Sequence, residues 1–145
     1  MKRVLALDYG QRRIGIALSD PLGLTAQPYD TWQNLRWDEV VDRLSLLIEK
    51  EGVQCILIGL PLTLKGHRGK MAAEVQRFAD RIKKDLEKPV ILWDERLTSV
   101  QAKRILRAAG PSVRRRKASV DVMAAVLLLQ SYLDSGVPDR SGESA

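Results

Sequence analysis

Several short apolar runs, each too brief for a buried helix, constrain this chain most. They are Val4-Leu5-Ala6-Leu7, Ile14-Gly15-Ile16-Ala17-Leu18, Cys55-Ile56-Leu57-Ile58 and Val90-Ile91-Leu92-Trp93. Runs of this length bounded by turn residues read as strands, and continuous apolarity means burial on both faces. Residues 3–8 and the run from Ile14 are joined by Gly10-Gln11-Arg12-Arg13, so the first pair is expected to be an antiparallel hairpin. Asp20-Pro21-Leu22-Gly23 is turn chemistry. Residues 25–32 form a third candidate strand, which Pro28 confines to an edge because it has no N–H to donate. Between the later runs the apolar period changes to helical spacing. Val40, Val41, Leu44, Leu47 and Ile48 predict a helix over 35–51, closed by Gly52. Met71, Val75, Phe78, Ile82 and Leu86 predict a second. Thr98-Ser99-Val100-Gln101 resembles a capping box that would open a helix ending near Gly110-Pro111. Ser119 would cap a last helix running to about Asp134. Three strands, then alternating helices and strands, then two helices imply an α/β fold: a mixed sheet with helices on both faces.

At 145 residues the expectation is one domain over 1–136, with 137–145 a polar, frayed tail. The formal net charge is +6, which suits a polyanionic partner, most often nucleic acid. The single cysteine, Cys55, rules out a disulfide framework within the chain. It reads as a small core residue, and the cytoplasm is the expected compartment. Met1-Lys2-Arg3 leads into a strand-like run rather than a signal sequence. No apolar stretch approaches the ~18 residues of a membrane span.

Three acidic points sit at the edges of apolar segments. Asp8 ends the first run, Asp94-Glu95 ends the run before it, and Asp121 opens the apolar stretch from Val122 to Leu129. A carboxylate at the end of a buried strand is costly unless compensated. Three brought together repel, and a hard divalent cation with oxygen ligands is the usual remedy. In open α/β sheets, sites form outside the carboxyl ends of the strands, where Asp8 and Asp94-Glu95 are expected. Asp121 would lie in the first turn of the last helix, where the helix dipole favours an anion. Adjacent strand residues face opposite sides, so only one of Asp94 and Glu95 is expected to face the cleft. Glu95 is favoured for its reach, with Asp94 its rival. One histidine, His67, and no Cys/His set make zinc a poor fit.

These residues carry a family resemblance. Asp8-Tyr9-Gly10-Gln11-Arg12-Arg13-Ile14-Gly15-Ile16-Ala17 resembles the opening motif of the YqgF/RuvX family. These are bacterial proteins described as Holliday junction resolvases or as pre-16S rRNA nucleases. Gly59-Leu60-Pro61 with Gly66, Asp94-Glu95-Arg96-Leu97-Thr98, and Asp121-Val122-Met123-Ala124-Ala125 agree in order, and the four motifs span 4–133. The resemblance implies a ribonuclease H-like fold with sheet order 3-2-1-4-5. It further implies a nuclease site using Mg²⁺ or Mn²⁺, expected as two ions held by Asp8, Glu95 and Asp121, and trimming of the 5′ end of the small-subunit rRNA precursor. Two-metal hydrolysis needs no protein base, which suits a chain with one histidine.

The basic residues supply the rest of such a site. From Arg96 to Val120 there are eight Lys/Arg and no acids. Arg114-Arg115-Arg116-Lys117 lies just before Asp121, and with Arg96, Arg12 and Arg13 forms a candidate track for phosphates, each contact adding salt dependence. Lys65, Arg68 and Lys70 extend it. Trp32, Trp37 and Trp93 read as packing residues before base-stacking ones. Three rivals stand beside the rRNA nuclease. A four-way-junction resolvase would need a dimer to cut two strands symmetrically, and the residues leave monomer or homodimer open. A non-catalytic nucleic-acid or transcription partner could use the same fold. ATP binding is suggested by Asp8-x-Gly10 with Gly15, but that chemistry closes between two such domains.

Overall fold

The computed structural model of the chain describes residues 3–61, 69–94 and 117–135, the last segment's side chains from Val122 onward. Five strands and three helices are defined there: β1 (Arg3–Tyr9), β2 (Arg13–Ser19), β3 (Ala26–Gln33), α1 (Trp37–Glu51), β4 (Val53–Leu60), α2 (Lys70–Leu86), β5 (Val90–Asp94) and α3 (Lys117–Asp134). The sheet order is β3-β2-β1-β4-β5. β1 pairs antiparallel with β2 and parallel with β4, β4 pairs parallel with β5, and β2 pairs antiparallel with β3. The expected mixed sheet and its order are therefore present. The expected helix from Thr98, His67 and its loop, and the tail from Val137 lie outside the described residues.

Alternation along the strands divides the core in two. Leu5, Leu7, Ile16, Ile56 and Ile58 pack on one face beneath Val40, Leu44 and Leu47 of α1 and Val75, Phe78 and Ile82 of α2. Val4, Ala6, Ala17, Cys55 and Leu57 pack on the other face against Ala125, Leu128, Leu129 and Tyr132 of α3. Ala6 and Ala17 are fully buried, and their small side chains let α3 lie close to the central strands. α3 rests chiefly on β2, with β3 and β1 to its sides.

The edge strand follows its sequence. β3 pairs with β2 alone in the described sheet, and the ladder slips there: Ile16 pairs with Asp30 but Ala17 with Pro28, so Tyr29 is the extra residue of a bulge. A proline beside a bulge on an edge strand removes no needed hydrogen bond and discourages further pairing. α1 opens with a reciprocal cap in which the Arg36 N–H donates to Glu39 Oε1 at 3.1 Å. It closes at Gly52, whose φ of 68° is the left-handed conformation glycine adopts without strain. α3 corrects one expectation. It is already helical at Lys117, so Ser119 lies inside it and is not the N-cap, and Asp121 falls beyond the first turn. Lys117 and Ala118 are strong helix formers, which carries the helix upstream of the serine. The dipole argument for Asp121 weakens accordingly, since that effect fades within the first turn.

The β2–β3 connection is held by one side chain. The Asp20 carboxylate accepts the N–H groups of Thr25 at 2.7 Å, Leu24 at 2.7 Å and Leu22 at 3.1 Å. The Thr25 bond first, then those of Leu24 and Leu22, hold the Asp20 carboxyl below its ordinary value. A carboxyl with a depressed folded pKa contributes order that is full above the unfolded value and is lost as pH falls through the folded one. Hydrogen exchange on the Leu24 and Thr25 amides, corrected for intrinsic rates, should therefore lose protection on acidification through that window. Asp20→Asn should flatten the dependence.

Candidate active site

Asp8 stands one residue from the carboxyl end of β1, half-buried, on the α3 face with Val4 and Ala6. Its neighbours across the sheet carry no side chains. On one side it pairs with Gly15 of β2. On the other, Leu7 pairs with Ile58 of β4, so the next rung sets Asp8 beside Gly59. Gly59 in turn pairs with Trp93 of β5. The carboxylate thus lies in a row Gly15–Asp8–Gly59–Trp93, in which the two positions beside it bring no side chain of their own. A hard-oxygen donor at the end of a central strand fits a cation that also contacts a phosphate.

The other expected ligands divide. Asp94 ends β5, but alternation puts Ile91 and Trp93 on the α3 face and Val90 and Leu92 on the opposite one, so Asp94 falls on the face away from Asp8. Glu95 lies outside the described residues. Asp121 is helical, one turn ahead of the fully buried Ala125, and its side chain is outside the described set. Among the described residues no group of three or more His, Cys, Asp or Glu gathers.

Of the expected phosphate track, Arg12 is exposed and Arg13 half-exposed at the β1–β2 turn. The turn is tight: the Gly10 N–H donates to the Arg13 carbonyl at 2.8 Å. A Cβ on Gly10 would meet that same oxygen at 2.9 Å, which excludes other residues there without a backbone shift. Lys117 is the first residue of α3 rather than part of a preceding loop. Arg96, Arg114, Arg115 and Arg116 lie outside the described residues, as do Lys65 and Arg68.

The aromatic residues are used mainly in packing, as expected. Trp32 is 6% exposed, and Trp93 packs edge-on against Tyr132 with ring centroids 5.3 Å apart. One group escaped the sequence reading. On the α1/α2 face, beside the Gly10 turn, a cleft of about 250 Å³ is lined by Tyr9, Trp37, Phe78, Arg12, Asn34 and Arg81 among others. The Arg81 guanidinium lies 4.1 Å from the centre of the Trp37 ring. Burial, then Glu74, pushes the Tyr9 phenol upward, with Arg77 opposing. The available signal was Phe78 and Arg81 at helical i,i+3 spacing.

The RuvX family model, described as Holliday junction resolvase, matches residues 2–135. The chain belongs to the RuvX family. A protein of Syntrophus aciditrophicus named "Putative pre-16S rRNA nuclease" is 47% identical over 133 residues, covering 92% of this chain and 89% of that protein. One of Chloroflexus aurantiacus with the same name is 43% identical over 142 residues, covering 97% and 93%. Among solved structures, Thermus thermophilus RuvC in complex with a Holliday junction substrate superposes with a TM-score of 0.56 at 14% identity, over 94% of this chain and 97% of that one. The fowlpox virus resolvase with substrate Holliday junction DNA gives 0.55 at 12% identity, over 92% and 97%. At such identities the likeness is one of fold, and it is the ribonuclease H-like fold that the RuvX motifs imply.

Proposed function

We propose that this chain is a divalent-metal-dependent endonuclease that processes the 5′ end of the small-subunit rRNA precursor. As a RuvX family member it is a hydrolase acting on ester bonds of nucleic acid. The observation that carries the chemical reading is the half-buried Asp8 at the carboxyl end of the central strand, flanked by Gly15 and Gly59. The choice of rRNA follows relatives that share more than 40% of residues over nearly the whole chain and are named for that substrate.

Asp8, Glu95 and Asp121 are the proposed metal ligands and catalytic residues. The face occupied by Asp94 supports Glu95 by elimination. The course of α3 supports Asp121. Gln130 is tied to the sheet end remote from Asp8: its Oε1 accepts the Ala26 N–H at 2.9 Å, and Ala26 pairs with Ser19. From Gln130 back to Asp121 the helix covers about 13 Å. From Ser19 to Gly15, the partner of Asp8, the strand covers about the same distance. A helix lying along β2 would therefore carry Asp121 back to the level of Asp8. When bound, Mg²⁺ or Mn²⁺ supplies Lewis acidity to a phosphoryl oxygen and lowers the pKa of water. The side chains hold and orient. Arg12, Arg13, Arg96, Arg114, Arg115, Arg116 and Lys117 neutralise flanking phosphates. No described helix is long and apolar enough to cross a membrane.

A second reading, cleavage of four-way DNA junctions, is favoured by the family description and by the fold of the junction-bound resolvases. Cleavage assays on a labelled rRNA 5′ precursor and a four-way junction, with Mg²⁺ or Mn²⁺ and an EDTA control, separate the two. Metal-dependent cutting of the RNA alone is the expected result. Cutting of the junction alone would transfer the chain to the second reading. Binding without cutting of either would make it a non-catalytic partner.

A further inference from the structure

The cleft on the α1/α2 face has no role in the proposed hydrolysis, yet it opens directly beside the site. Asp8 and Tyr9 are consecutive, and alternation sends Asp8 to the α3 face and Tyr9 to the α1/α2 face. Gly10 follows, so the lip between the two faces carries no side chain at that point. Among the described residues, a strand whose phosphate lies at Asp8 would meet only backbone at Gly10 on crossing this lip. Beyond it the interior of the cleft is aromatic. Tyr9 and Phe78 are in contact with ring centroids 4.3 Å apart, and Trp37 meets Phe78 edge-on at 5.6 Å. The rim is cationic and polar. Arg12 and Arg81, both exposed, line it, and the Arg81 guanidinium lies over the Trp37 ring. Asn34 is fixed at the rim with φ 52°, its N–H donating to the Arg12 carbonyl at 2.8 Å.

We infer that this cleft holds one unstacked nucleobase of the substrate strand, next to the nucleotide being cut. An apolar aromatic interior suits the face of any base, and an amide at the rim can both donate to and accept from a base edge. Two guanidinium groups complement the phosphates on either side of that base. Such a site requires a strand with at least one unpaired nucleotide, so it selects single-stranded or frayed substrate over continuous duplex. The inference rests on the nuclease reading, and it adds a specificity determinant on the face opposite the metal ligands.

The test measures binding of the full Asp8→Asn chain, with Mg²⁺, to a single-stranded oligoribonucleotide carrying one abasic nucleotide at successive positions. Stacking of a base on an aromatic side chain predicts that one abasic position weakens binding about tenfold while its neighbours change little. In Trp37→Leu that penalty should vanish. Arg81→Ala, a change at an exposed helix position, should reduce it with the fold intact. Equal effects at every position, or a penalty that persists in both variants, would overturn the inference. So would Trp37-dependent binding of AMP without any position effect, which would assign the cleft to a free nucleotide. Failure to bind any oligonucleotide would remove the nuclease reading and this site with it, whereas binding without a position effect would remove the site alone.

Discussion

Asp8→Asn is expected to abolish metal-dependent cleavage while leaving the chain folded. The exchange keeps the side-chain volume and one oxygen but removes the charge, and an amide is a poor ligand for Mg²⁺ or Mn²⁺. Asp8 sits on the central strand in a row flanked by glycines, so no neighbouring side chain on β2 or β4 stands ready to substitute for it. The loss should be at least about a thousandfold in rate, or roughly 4 kcal/mol of transition-state stabilisation. The exchange is nearly isosteric, so the unfolding transition should stay cooperative. Single-turnover cleavage and urea denaturation, run on the same preparation, check both halves. Cleavage within about tenfold of the unsubstituted chain would remove Asp8 from the machinery.

Leu129→Ala should produce the largest loss of stability among single changes in α3. Leu129 is fully buried and packs with Ala6, Ala17 and Leu57 beneath the helix. Removing its branched end leaves a cavity between α3 and the sheet, and such truncations cost about 2–5 kcal/mol. The upper part of that range applies where the surroundings cannot relax, and here a sheet and a helix confine the space. Activity should fall further than the folded fraction alone requires, because α3 carries Asp121. Urea unfolding gives the first quantity. The cleavage rate under conditions where the variant remains folded gives the second. A loss below about 1 kcal/mol would mean that α3 is held by contacts other than this core.

Much of this fold was legible because the sheet is buried on both faces. Continuous apolar runs such as Val4–Leu7 and Cys55–Ile58 leave few alternatives, and the stripes of α1 and α2 point at one side of them. Pro28 marked the edge strand, though the bulge at Tyr29 left no sequence trace, since it depends on the register with β2. Ser119 misled because a capping residue is a local preference, and the helix-forming Lys117 and Ala118 ahead of it override that preference. The position of Asp8 near the carboxyl end of β1 was readable from its place at the end of an apolar run. That Gly15 pairs with Asp8, and that Gly59 follows on the next rung, depends on register and is visible only once the strands are paired. The face that Asp94 takes was likewise visible only from its place in the paired strand. The aromatic cleft was missed because Tyr9, Trp37 and Phe78 come from three separate elements.

The most direct test of the account is Mn²⁺ binding to the full chain, followed by electron paramagnetic resonance or titration calorimetry, with Asp8→Asn, Glu95→Gln and Asp121→Asn each compared with the unsubstituted protein. Saturable binding is expected, weakened by about tenfold or more in each of the three substitutions and nearly unchanged in Asp94→Asn. Binding undiminished in all three variants, or lost in Asp94→Asn alone, would contradict a metal centre built from Asp8, Glu95 and Asp121.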